Sequence, residues 1–66
     1  MKNVRDQLRA VLESEGEIRK IVIAYEIKGK KAQAVHNFEN TAQALAFAAD
    51  TLRLSDDEML AVLRGR

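Results

Sequence analysis

The chain has 66 residues, with 11 basic and 10 acidic side chains and a formal net charge of +1. Hydrophobic residues are 47% and charged residues 32%, the balance of a folded domain and not of a disordered tail. With no cysteine, disulfide staples and thiolate metal sites are excluded, and a near-neutral charge supplies no global field for nucleic acid or anionic membrane.

The charged start Met1-Lys2-Asn3-Val4-Arg5-Asp6 is unlike a secretory leader, and no apolar run approaches a bilayer span. A single small domain over residues 1–66, cytoplasmic and without membrane contact, is therefore expected. A core this small is marginal alone. Without disulfides or a metal, self-association is the natural route to further burial.

Asn3 to Glu15 reads as a helix, because Val4, Leu8, Val11 and Leu12 fall on one stripe. Asn3 can cap its start and Gly16 can end it by taking a left-handed conformation. From Glu17 the period changes to two: Ile21, Ile23, Tyr25 and Ile27 alternate with Val22, Ala24, Glu26 and Lys28, which predicts a strand. Lys28-Gly29-Lys30-Lys31 then supplies a hairpin turn, and Lys31 to Phe38 a second strand. A two-residue loop at Gly29-Lys30, or a four-residue one of the same parity, is expected; the former would set Ile27 opposite Ala32, Tyr25 opposite Ala34, Ile23 opposite His36 and Ile21 opposite Phe38. That parity gathers every large apolar side chain of the hairpin region on one face except Ile18, Val22 and Val35.

Asn40-Thr41 opens a second helix reaching Arg53, with Ala42, Leu45, Ala49 and Leu52 on its expected buried face and Phe47 nearly opposite. Ser55-Asp56-Asp57-Glu58 has the spacing of a capping box and starts a third helix ending near Arg64. The predicted fold class is α+β in the order α-β-β-α-α, a two-stranded antiparallel hairpin packed on helices. Its two unpaired edges invite a four-stranded sheet across a dimer.

Few residues offer chemistry. Ser14 stands at a helix end and Ser55 is explained as a cap, so nucleophilic catalysis lacks a serine with a base in reach. Asp56-Asp57-Glu58 lacks the spaced oxygens and glycine of a calcium loop, and Gly16, Gly29 and Gly65 form no phosphate cradle. No catalytic residue, metal or cofactor is expected. His36 alone supports a sharper idea, since histidine can act as acid or base in a metal-free ribonuclease. Leu8-Arg9-Ala10-Val11-Leu12-Glu13-Ser14-Glu15-Gly16 is similar to the first helix of small toxins of the HicA type, which also carry a histidine on a strand. The resemblance covers about a quarter of the chain and implies a ribonuclease-like role for His36. Ala34-Val35 precedes His36 where those toxins carry a small polar pair, and no orienting partner is readable, so a structural histidine is preferred.

The spacing Ala49-x-x-Leu52-Arg53-Leu54-Ser55-x-x-x-Met59-x-x-Val62 resembles a helix-turn-helix. Arg53 stands where that family usually has glycine, and Asp56-Asp57-Glu58 would meet phosphates, so two packed helices explain it better. Basic residues gather instead on residues 17–39, which hold five basic and three acidic side chains. Arg19, Lys28, Lys30 and Lys31 form the alternative, a nucleic-acid-binding regulator using the hairpin tip. The preferred reading is a non-enzymatic protein-interaction module, an inhibitor or adaptor of bacterial or phage type, acting as a homodimer on a macromolecular partner. Its candidate contacts are Phe47, Met59 and Val62 on the helices, and Val22 and Val35 on the open sheet face.

Overall fold

The computed structural model describes residues 3–65 and has the expected element order. Helix α1 spans Val4–Glu13, strands β1 and β2 span Lys20–Ile27 and Lys30–Asn37, and helices α2 and α3 span Thr41–Leu52 and Asp56–Arg64. Each helix begins at a side-chain cap. The Asp6 N–H donates to Asn3 Oδ1 at 2.8 Å, and the Gln43 N–H donates to Asn40 Oδ1 at 2.9 Å. At α3 the box is reciprocal: the Glu58 N–H donates to Ser55 Oγ at 3.3 Å while the Ser55 N–H donates to Glu58 Oε1 at 3.1 Å. Thr41, the other candidate cap, has a different task. Its hydroxyl oxygen accepts from the Ile18 N–H at 3.0 Å, tying the approach to β1 onto the start of α2.

The hairpin is antiparallel, but its loop is Lys28-Gly29, one residue earlier than expected. Tyr25 therefore lies opposite Ala32, Ile23 opposite Ala34 and Ile21 opposite His36. The cause is turn geometry. Lys28 and Gly29 have φ of 52° and 81°, and positive φ at both central residues is the signature of a type I′ turn, whose twist matches that of the flanking strands. Glycine fits the second of those positions, as in Asn-Gly turns. The register differs from expectation by two residues, and an even shift leaves every side chain on its face.

On the inner face Ile21, Ile23 and Ala34 are buried, whereas all eight residues of the outer face are exposed. Leu8 of α1, Ala44 and Ala48 of α2, and Met59 and Leu63 of α3 complete the core. In α2 the buried face differs from the one predicted. Ala44, Ala48 and Thr51 are buried, while Leu45, Ala49 and Leu52 are only partly so and Ala42 is exposed. Here alanine's small size decides the seam. Ala44 and Ala48 have no exposed surface at all, and α1 packs closely over α2 with Leu8, also fully enclosed, in the same cluster. Thr51 tolerates burial because its hydroxyl donates to the Phe47 carbonyl at 2.7 Å.

A polar clamp holds the helices at one corner. Arg5 Nη1 donates to the Leu52 carbonyl at 2.9 Å and Nη2 to the Leu54 carbonyl at 2.6 Å, while Nε reaches Asp56 Oδ1 at 3.3 Å. One guanidinium thus satisfies the Leu52 carbonyl left free at the end of α2, where the helix dipole is negative, and the Leu54 carbonyl of the connection that follows, and fixes the first residue of α3. Among the described residues no helix is long and apolar enough to cross a membrane.

Candidate functional site

The outer face of the hairpin carries Lys20, Val22, Ala24 and Glu26 on β1 and Lys31, Gln33, Val35 and Asn37 on β2. Val22 and Val35 are direct cross-strand partners, 47% and 52% exposed, so they form one small apolar patch open to solvent. Glu26 lies opposite Lys31 at the tip end of the same face, an opposite-charge pairing across the strands.

The two edges of this sheet are treated differently. Gln7 of α1 reaches the outer side of β1, where its Nε2 donates to the Ala24 carbonyl at 2.9 Å and its Oε1 accepts from the Ala24 N–H at 3.0 Å. The carboxamide thereby occupies both backbone groups that Ala24 would offer a neighbouring strand. Since Ala24 points these groups away from β2, Ala24 and Gln33 form a non-hydrogen-bonded pair, and so by alternation do Val22 and Val35. The backbone groups of Lys31, Gln33, Val35 and Asn37 accordingly face the outer edge of β2. Among the described residues none of them meets a partner.

The helical candidates fare unequally. Met59 is 2% exposed and sits in the core, which removes it from any surface a partner could reach; its apolar body is spent on the chain's own interior. Phe47 is half-buried against β2, its ring 4.6 Å from that of His36 and 5.4 Å from that of Phe38, so the side of α2 expected to be free is largely covered by the hairpin. Val62 stays 39% exposed on α3.

His36 points inward as the sequence parity required. Its Nε2 is enclosed and, among the described residues, has no hydrogen-bond partner, and its ring packs on Phe47. Among the described residues no side chain bonds to the ring to orient a proton, as an acid–base pair requires. The basic candidates divide as well. Lys28, Lys30 and Lys31 are exposed at the tip, and none of the three takes part in an ion pair among the described residues. Arg19 lies at the opposite end of the hairpin, roughly 25 Å away at ordinary strand rise. It is occupied there by Glu17, with Nη2 2.6 Å from the carboxylate. The four do not form one cluster.

A cleft of about 370 Å³ lies between the starts of α1 and α3 and the end of β1, lined by Val4, Arg5, Tyr25, Glu26, Met59 and Leu60. Its guanidinium already serves the helix corner, so among the described residues the cleft has no uncommitted cation with which to hold an anion. Among the described residues no group of three or more histidine or acidic side chains could hold a metal.

Gln7 and Arg5 were not legible as important. Both bond to partners at least 17 positions away, and in sequence they are ordinary polar residues on a helix beside an apolar stripe. No family model, curated protein or solved structure matches the chain.

Proposed function

We propose that this chain is a cytoplasmic, non-enzymatic protein-binding module, an inhibitor or adaptor of bacterial or phage type, that acts as a homodimer and meets its macromolecular partner with the outer face of the hairpin. The observation that carries the reading is the Val22–Val35 patch on a sheet face that no helix covers. Apolar side chains surrounded by polar ones are the usual anatomy of a contact surface. Enclosure of His36 Nε2 beside Phe47 supports a binding role over acid–base chemistry.

A photo-crosslinking residue in place of Val22, expressed in the native host, is expected to give an adduct with one protein of defined mass. The same residue in place of Leu12, 40% exposed on α1, is expected to give none. Equal labelling from both positions, or none from either, overturns the reading.

The free lysines of the tip favour a second reading, binding of nucleic acid. It requires affinity that falls steeply with salt and is lost when Lys28, Lys30 and Lys31 are replaced together by alanine. Affinity that ignores salt removes it.

A further inference from the structure

We infer that the open edge of β2 pairs with β2 of a second copy of this chain about a two-fold axis at Val35, giving a four-stranded sheet in the order β1-β2-β2-β1. This deepens the reading of the hairpin as the contact region and rests on it.

Edge strands are ordinarily protected, since their unpaired backbone groups template further pairing. This hairpin is capped at the middle of one edge, at Ala24, and among the described residues nowhere along the other. Gln7 closes β1 at Ala24, whereas β2 offers the outward N–H and C=O groups of Lys31, Gln33, Val35 and Asn37. Among the described residues this strand has no bulge or proline, and only one side chain on its outer face, Lys31, is charged.

A second copy is the occupant that the side chains favour. Antiparallel pairing about a two-fold is self-complementary, so each residue meets a fixed counterpart. Only registers that align outward-facing backbone groups with one another are allowed. With the axis at Val35, Val35 meets Val35 and Gln33 meets Asn37, while the Lys31 side chain faces that of Glu39, exposed just beyond the strand. The Glu39 N–H donates to Gln43 Oε1 and its carboxylate accepts from Gln43 Nε2 at 3.4 Å. The outer face then carries a continuous stripe Val22–Val35–Val35–Val22. Moving the axis to Gln33 sets Lys31 against Val35 instead, and moving it to Ala34 sets Lys31 against Asn37. Neither adds an acid of the second copy to the Glu26 that already faces Lys31 within the hairpin. Charge complementarity selects the Val35 axis.

The chain has no cysteine, so single thiols test the geometry directly. In a hydrogen-bonded antiparallel pair the Cα atoms are about 5.5 Å apart, within disulfide range. On mild oxidation Val35→Cys is expected to form a covalent dimer, while Val22→Cys, equally exposed but on the closed strand, stays reduced. Sedimentation of the unmodified chain is expected to show twice the 7.4 kDa protomer. Lys31→Glu should weaken that association about tenfold, and adding Glu39→Lys should restore it. A protomer-only species at high micromolar concentration overturns the inference, as does coupling of Val35→Cys no faster than that of Val22→Cys. If the Val22 crosslink to another protein nevertheless forms, the hairpin still binds a partner and only the self-pairing falls.

Discussion

The helical corner and the outer side of the hairpin use the same kinds of group to opposite ends. At the corner, Arg5 spends its donors on two carbonyls and a carboxylate of its own chain, and Ser55 and Glu58 exchange bonds across the first turn of α3. On the hairpin's outer side, two valines and a row of backbone groups stay in solvent. A short chain with little interior needs internal closure wherever helices meet. What it leaves open is therefore informative, because Gln7 shows at Ala24 how a single polar side chain covers such groups.

The largest effect should come from breaking the closed side. Arg5→Ala removes the partners of the Leu52 and Leu54 carbonyls and the anchor of Asp56, and should cost about 2–3 kcal/mol, in line with part-buried hydrogen bonds to a charged group. Arg5→Lys keeps the charge but loses the fork, and should recover less than half of that. Urea denaturation followed by circular dichroism reads both. A loss within about 0.5 kcal/mol for Arg5→Ala would equate the corner with an ordinary surface ion pair.

Gln7→Ala tests the division between the edges. It should cost about 1–2 kcal/mol, because the Ala24 N–H and the Ala24 carbonyl each lose a partner. It should also make β1 sticky: the variant is expected to form species larger than a dimer, visible by light scattering, as a newly opened edge pairs. Simple destabilisation without further assembly would show that the carboxamide anchors α1 and does not guard the strand.

The turn offers a smaller change of opposite sign. Lys28 holds φ at 52°, a conformation that asparagine adopts more readily than lysine. Lys28→Asn should raise stability by about 0.5–1 kcal/mol while leaving outer-face contacts intact. Destabilisation would contradict the type I′ loop at Lys28-Gly29 and favour the loop one residue later.

Much of this was readable from the residues and some was not, for identifiable reasons. Alternation from Ile21 to Ile27 placed every strand residue on its correct face, and the spacing of Ser55 and Glu58 announced their exchange of bonds, since both are local patterns with a fixed period. The register missed by two residues because parity cannot tell Lys28-Gly29 from Gly29-Lys30; only the φ demands of the turn can. The seam of α2 was misjudged because large side chains dominate a periodicity count, while Ala44 and Ala48 contribute by letting α1 approach. For that reason Met59 and Phe47 looked available when the interior had already claimed the first and the hairpin most of the second. Val22 and Val35 were legible as an outer patch, but the closure of one edge by Gln7 was not, because it joins residues 17 positions apart through a side chain that follows no motif.

The smallest expected effect concerns acid. Glu58 is held below the usual carboxylate range, first by the Ser55 backbone N–H and second by the Ser55 hydroxyl. The folded chain thus binds a proton at this carboxylate less readily than the unfolded chain. The resulting stabilisation is complete above the unfolded value, about pH 4–5, and is lost as pH falls through the lower folded value. Full exposure of the carboxylate keeps the contribution small. Glu58→Gln retains an oxygen able to accept from Ser55 but has no proton to titrate there. Wild type should therefore be the more stable of the two near neutrality, and the gap should close on acidification. Because every other carboxylate is common to both proteins, their difference in urea midpoint isolates this one group. A gap that stays constant down to about pH 3 would mean that the box holds α3 by geometry alone, with no contribution from the charge on Glu58.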